Sequence, residues 1–137
     1  MHVDPAEAAI ETIRTRAGLS RRLLLLAEHL PREDRALLEA IYDRGMRPTD
    51  FARAVRLKPR TIRNRVQRIV QRIGTPVFQY VAGRSETWSE DRRAIAELVV
   101  LHGISQREAA RRLGVSQHRI RQEVARLRAQ CEAGGGE

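Results

Sequence analysis

The sequence predicts an all-α protein in which two tandem three-helix units follow an N-terminal helical segment. Three observations carry that expectation. Of the 137 residues, 42% are hydrophobic but only 4% aromatic, a Leu, Ile, Val and Ala composition suited to helical cores. Apolar residues recur at i, i+4, i+7 and i+11 in Ile62, Val66, Ile69, Ile73 and again in Ile120, Val124, Leu127, Cys131, the spacing of one helix face. Finally, the chain repeats itself without a gap at an offset of 58 residues.

The repeat lays residues 30–73 over 88–131. Arg35 falls on Arg93, Ala36 on Ala94, Glu39 on Glu97, Gly45 on Gly103, Ala52 on Ala110, Arg53 on Arg111, Ile62 on Ile120, Arg63 on Arg121, Val66 on Val124 and Arg68 on Arg126. Apolar character is kept where identity is not, as in Leu37 with Ile95, Ile41 with Val99 and Ile69 with Leu127. A chance match would not hold both the glycine and the apolar stripes in register.

The elements follow in order. Residues 1–29 form the N-terminal segment. Asp4 is a suitable N-cap, Pro5 fits the first helical position, and Glu7 lies near the positive end of the helix dipole. Ile10, Ile13 and Ala17 share a face before Gly18 stops that helix. A second helix is expected from Ser20 to about His29, with a leucine stripe wide enough to need cover. Two roles fit the stripe: packing on the first unit, or a homodimer interface. The first unit spans 30–74, with helices expected at 32–44, 48–55 and 59–73. The second spans 88–131, with helices at 89–102, 106–113 and 117–131. Gly45 and Gly103 stand where a first helix should stop, and Ser105 with Glu108 forms a capping-box pattern. The linker, 75–87, carries Val77, Phe78, Tyr80 and Val81, too apolar for a free tether, and is expected to pack, a short strand being one form open to it. Residues 132–137 read as a disordered tail.

A short helix, a tight turn and a longer helix with a cationic outer face is the helix-turn-helix pattern. Ala52 and Ala110 lie where the two helices cross closely. Val55 with Leu57, and Leu113 with Val115, bracket the turn and are expected to pack inward. Gly114 suits a turn of positive φ. Arg56 takes its place in the first unit, which strains that turn or changes its shape.

Charge singles out one region. Net charge is +9, and residues 46–85 hold ten Lys and Arg against one acid, Asp50. Residues 1–45 carry −1 and residues 86–137 carry +1. From Phe51 to Ser85 there is no acid. A coding bias could favour Arg over Lys, since Lys58 is the sole lysine, but it would not remove acids from one segment. A localised positive field favours a polyanion. Duplex DNA is the expected partner, with structured RNA left open by charge alone.

The stretch LPREDRALLEAIYDRGMRPTDFARAVRLKPRTIRNRVQRI resembles the C-terminal, region 4 helix-turn-helix of bacterial sigma-70 family factors. The residues that carry the likeness are Leu30-Pro31, Arg35, Gly45, Ala52 and Thr61-Ile62-Arg63-Asn64-Arg65-Val66. It covers about a third of the chain, and the second unit is similar to the wider sigma-like group less specifically. The resemblance implies a DNA-binding, transcription-related role and makes RNA polymerase a candidate partner. The chain has no room for the family's promoter-melting module, so a complete sigma factor is not expected.

In such motifs the N-terminal half of the third helix meets base edges in the major groove. The expected base-reading residues are therefore Arg60, Thr61, Arg63, Asn64 and Gln67 in the first unit. In the second they are Gln117, His118, Arg119, Arg121 and Gln122. Arg can bridge guanine O6 and N7, and Asn can bridge adenine N6 and N7. Lys58, Arg65, Arg68 and Arg72, fanning sideways, together with Arg53, Arg56 and Ser116, are phosphate candidates. The second face is less basic, because Glu123 replaces Arg65 and Glu108 lies nearby. Either both units read DNA, or the second contacts a partner.

No catalytic constellation is visible, so an enzyme is not expected. His2, His29, His102 and His118 fall in separate elements, Cys131 lies on a core stripe, and no metal-ligand spacing or phosphate-binding glycine loop appears. No cofactor is expected. A single cysteine and the lack of an apolar run of membrane-spanning length suit a cytoplasmic, nucleoid-associated protein. Two other readings accommodate the same features. One is a sigma-like adaptor that grips RNA polymerase or an anti-sigma factor. The other is an accessory DNA-binding subunit of a recombination or phage packaging system.

Overall fold

The computed structural model describes residues 20–134. The helix expected between Asp4 and Gly18 lies outside those residues. Eight helices and no strand make up the described chain. Residues 20–27 form α1. Helix α2, Arg32–Leu38, widens into a π-helical turn, Glu39–Asp43, and is followed by α3, Pro48–Val55, and α4, Pro59–Ile73. Helix α5, Pro76–Arg84, leads through a tight turn at Ser85–Thr87 into α6, Glu90–Ala96, which widens at Glu97–Leu101. Helices α7, Gln106–Leu113, and α8, Gln117–Gly134, complete the chain.

The sequence repeat is also a backbone repeat. The two π-helical turns lie 58 residues apart, as do the bounds of α3 and α7. Gly45 and Gly103 take the left-handed conformation at φ 67° and 69°. Just beyond them, Met46 N donates to Ala40 O at 2.9 Å and Ile104 N to Leu98 O at 2.9 Å, closing the widened helix end in the same way twice. The next turn repeats as well. Leu57 N donates to Ala52 O at 2.9 Å, and Val115 N to Ala110 O at 3.1 Å. Arg56 adopts φ 59°, close to the 66° of Gly114. The first unit thus keeps the turn shape and places a side chain in a backbone region that disfavours one.

Packing ties the units together. The larger core joins Ala27 and Leu30, Leu37 and Leu38 of α2, Ala52, and the α4 stripe Ile62, Ile69 and Ile73. The same core takes in Phe78 and Val81 of α5, Ala96, Val100 and Leu101, and Leu127 of α8. A smaller core of Ile95, Ala109, Ala110, Ile120 and Val124 belongs to α6, α7 and α8. In α1, Leu23 and Leu26 pack against the larger core, while Leu25 is 72% exposed.

Four expectations need correction. Residues 76–84 are helix rather than strand: Thr75 Oγ1 accepts from Phe78 N at 3.3 Å, Pro76 opens the helix, and Phe78 and Val81, three apart on one face, are buried. β-branched and aromatic residues suggested a strand, but a cap followed by proline is a helix start. Val55 and Leu57 do not pack inward and are each 45% exposed, whereas Leu113 and Val115 rest against the smaller core. Helix α8 does not stop at 131 but runs to Gly134, since no helix-breaking residue precedes that glycine. Only half of the capping box forms. Ser105 Oγ accepts from Glu108 N at 3.1 Å, while the Glu108 carboxylate turns to Arg111 and Arg112.

Candidate nucleic-acid interface

The α4 face is built on a buried root. Pro59 at the first helical position removes a backbone donor that would otherwise lack a partner there. Ile62 and Ile69 are buried under it, with Val66 half-buried between them, so Arg63, Asn64, Gln67 and Arg68 turn outward. Arg60, Thr61, Arg63, Asn64, Gln67 and Arg68 are all exposed, and so are Arg53, Arg56 and Lys58 along α3 and the turn. Among the described residues, Arg53, Arg56, Lys58, Arg60, Arg63 and Arg68 make no ion pair. Asp50, the one acid of this region, is held by Arg47 at 2.9 Å, and that guanidinium keeps its carboxyl below the usual carboxylate range.

Two of the expected sideways cations behave differently. Arg65 and Arg72 are half-buried and turn toward α2. Arg65 Nη2 lies 3.3 Å from both Glu33 Oε2 and Asp34 Oδ1, and Arg72 Nη2 lies 3.3 Å from Asp34 Oδ2. Arg72 also lies over Gly103, where an added Cβ would come within 2.2 Å of Nη1. These two arginines brace the fold across α2, α4 and the end of α6, and their charge is matched internally.

On α8, Ser116, Gln117, His118, Arg119, Arg121 and Gln122 are exposed. Ser116 Oγ accepts from Arg119 N at 3.1 Å, so this hydroxyl caps the helix. Much of the second unit's charge is paired. Arg119 reaches Asp91 at 3.5 Å, Arg126 reaches Glu123 at 3.8 Å, and Glu108 takes Arg111 Nε at 2.9 Å and Arg112 Nε at 3.2 Å. Those two guanidiniums hold the Glu108 carboxyl down at about 2. Glu123 is not an outward acid. It is 17% exposed and set 3.0 Å from Arg92 Nε, a close charge contact in which neither atom has an aligned hydrogen bond. Arg92 also stacks 4.3 Å above the Trp88 ring.

The arrangement is chemically suited to polyanions. Guanidiniums donate in a planar fork that matches phosphate and guanine edges, and Asn64 with Gln67 and Gln122 adds amides that both donate and accept. Among the described residues no group of three or more His, Cys, Asp or Glu is placed to hold a metal ion, and no helix is long and apolar enough to cross a membrane. Comparison with protein-family models, curated proteins and solved structures gives no match.

Proposed function

We propose that the chain is a sequence-specific binder of double-stranded DNA acting in transcription regulation, built from two tandem helix-turn-helix units. Helix α3, the turn at 56–58 and α4 form the first, and α7, the turn at 114–116 and α8 form the second. In this reading α4 enters the major groove, with Arg60, Thr61, Arg63, Asn64 and Gln67 toward the bases. Arg53, Arg56, Lys58 and Arg68 hold flanking phosphates. The observation that carries the reading is the contrast in charge pairing. Arg53, Arg56, Lys58, Arg60, Arg63 and Arg68 gather on one exposed surface without an ion pair among the described residues, while in the second unit Arg92, Arg111, Arg112, Arg119 and Arg126 each find a carboxylate. The likeness to sigma region 4 supports the same assignment.

The test is selection of bound duplexes from a random pool, followed by fluorescence anisotropy on the enriched sequence. Arg60→Ala and Arg63→Ala should each cost roughly 1–3 kcal/mol and relax preference at one base pair. Absence of an enriched sequence, or unchanged binding in both variants, would overturn the reading. One observation favours a second function. The exposed Val55 and Leu57 beside α4 suit a protein contact, as a sigma-like adaptor of RNA polymerase would need. Co-purification with core polymerase, lost on Leu57→Ser, is its test. A homodimer through α1 would account for Leu25 in the same way, and it would appear as a doubled mass in solution.

A further inference from the structure

Only Gly74 and Thr75 separate α4 from α5. Thr75 Oγ1 donates to Arg72 O at 2.8 Å and accepts from Phe78 N at 3.3 Å, so one side chain ties the end of α4 to the start of α5. Helix α5 packs against both α4 and α8. Its Phe78 and Val81 are fully buried in a core that also takes Ile69 and Ile73 of α4 and Leu127 of α8. The repeat lays Ile69 on Leu127, so the two third helices root the same turn in one shared core. Units on a polar tether move independently, and a continuous apolar interface removes that freedom.

The two outward faces therefore stand at a fixed separation, and helix geometry sets its upper limit. Across α5, α4 and α8 are at most two helix-packing distances apart, about 20 Å. Arg63 lies ten residues before Ile73, about 15 Å along α4, and Arg121 lies six before Leu127, about 9 Å along α8. Even laid end to end, these place the backbones of Arg63 and Arg121 within about 45 Å of each other. One turn of duplex is about 34 Å and two turns are about 68 Å. The pair can reach neighbouring major-groove openings on one face of a duplex, but not openings two turns apart.

Both faces carry base-reading chemistry, and they carry it differently. Arg63 and Arg121 occupy one repeat position, and both are exposed without an ion pair among the described residues. Around them Arg60 gives way to His118, Thr61 to Arg119 and Asn64 to Gln122. Arginine pairs with guanine and an amide with adenine, so each face is equipped to read bases of its own.

We propose that α4 and α8 read one composite site: two unlike elements, centred about one helical turn apart, at a spacing fixed by the shared core. This inference rests on the DNA-binding reading above and extends it to the second unit. One chain then does what a two-fold dimer does with two copies, and no palindrome is required. Each face covers few base pairs. Joining the faces makes the second engagement intramolecular, so neither has to bind tightly alone.

The test uses the unmodified chain and the duplex it enriches from a random pool about three helical turns long. Substituting each base pair in turn should reveal two blocks that matter, with centres about 10 base pairs apart. Inserting about five base pairs between the blocks turns one to the opposite face and should weaken binding on the order of 100-fold. Inserting about ten restores the face but carries the block out of reach, so binding should stay weak. This series needs no variant, so a folding defect cannot imitate its result. Arg63→Ala should then relax preference within one block and Arg121→Ala within the other, each weakening binding about 5- to 150-fold. A single block, recovery of binding at the ten-base-pair insertion, indifference to spacing, or unchanged preference in Arg121→Ala overturns the proposal and leaves the reading by α4 intact. The parent reading fails differently, by enriching no sequence at all.

Discussion

Arg92 and Glu123 meet at 3.0 Å in the second unit and reverse the charges of Asp34 and Arg65, which meet at 3.3 Å in the first. The two pairs occupy equivalent positions, 58 residues apart. The reversal extends one helical step further. Asp34 also receives Arg72, and Arg92 also donates to Gln130, which stands at the position of Arg72. One residue of the first helix therefore braces two residues of the third, seven apart, in both units. What the fold keeps is complementarity between the two helices, and the sign is free to change.

The first prediction follows from that geometry. Arg65→Glu alone should destabilise the chain by about 1–2 kcal/mol, because it sets a carboxylate against a largely buried Asp34. Replacing the whole set, Asp34→Arg with Arg65→Glu and Arg72→Gln, copies the second unit and should recover most of the loss. Urea denaturation of the single and combined variants measures the coupling. Additive losses would show that the pairs do not support one another.

Arg56 is the subject of the second prediction. Its left-handed backbone costs about 1 kcal/mol relative to glycine, partly offset by the greater chain freedom glycine has when unfolded. Arg56→Gly should therefore raise the melting temperature slightly. The same change removes an exposed cation from the proposed DNA surface, so it should weaken duplex binding. A stability gain with a binding loss would separate the two roles of this residue. Gly114→Ala is the mirror experiment: nothing lies within 4 Å of the added Cβ, so its cost, about 1 kcal/mol, is backbone strain alone.

Much of the all-α architecture was legible because periodicity and glycine placement are local signals. The stripe from Ile62 to Ile73 and the stops at Gly45 and Gly103 need no knowledge of partners. The failures were non-local or compositional. Helix α5 was obscured because Phe78, Tyr80 and Val81 carry strand-like propensity, although Thr75-Pro76 held a start signal. The exposure of Val55 and Leu57 depends on what lies across the turn, which spacing alone does not report. For the candidate site, outward residues such as Arg60, Arg63 and Asn64 could be placed from the buried stripe beneath them. The inward turn of Arg65 and Arg72 depends on Asp34, which precedes them by 31 and 38 residues. A signal for it did exist. Aligned copies change Asp34 to Arg92 and Arg65 to Glu123 together, which is what a charge pair requires.

The third prediction concerns pH. Burial pushes the His102 imidazole below its ordinary value, with the Glu97 carboxylate pulling the other way and Arg72 adding to the depression. The unfolded chain therefore takes up the proton first as pH falls. The stability due to neutral His102 is complete above an unfolded value near 6.5 and declines as pH falls toward the lower folded value. The melting temperature should drop as pH falls below about 7.5, through the unfolded value, and His102→Gln should reduce that drop. An identical pH dependence in the variant would remove His102 as the cause.

Gly103 and Gly45 give the last prediction, because they share a backbone conformation and differ in surroundings. Both have positive φ, and nothing lies within 4 Å of a Cβ built on Gly45. On Gly103 the Cβ would strike Arg72 Nη1 at 2.2 Å and Cζ at 2.8 Å. Gly45→Ala should cost about 1 kcal/mol, the backbone strain alone. Gly103→Ala should cost more, because Arg72 must move and its contact with Asp34 is at 3.3 Å. The atoms struck belong to the far end of a flexible side chain, so the excess should be modest, about 1 kcal/mol. Arg72→Ala in the Gly103→Ala background should remove that excess while leaving the backbone cost. If the two alanine variants lose equal stability, Arg72 does not press on Gly103, and the brace between the first and second units lies elsewhere.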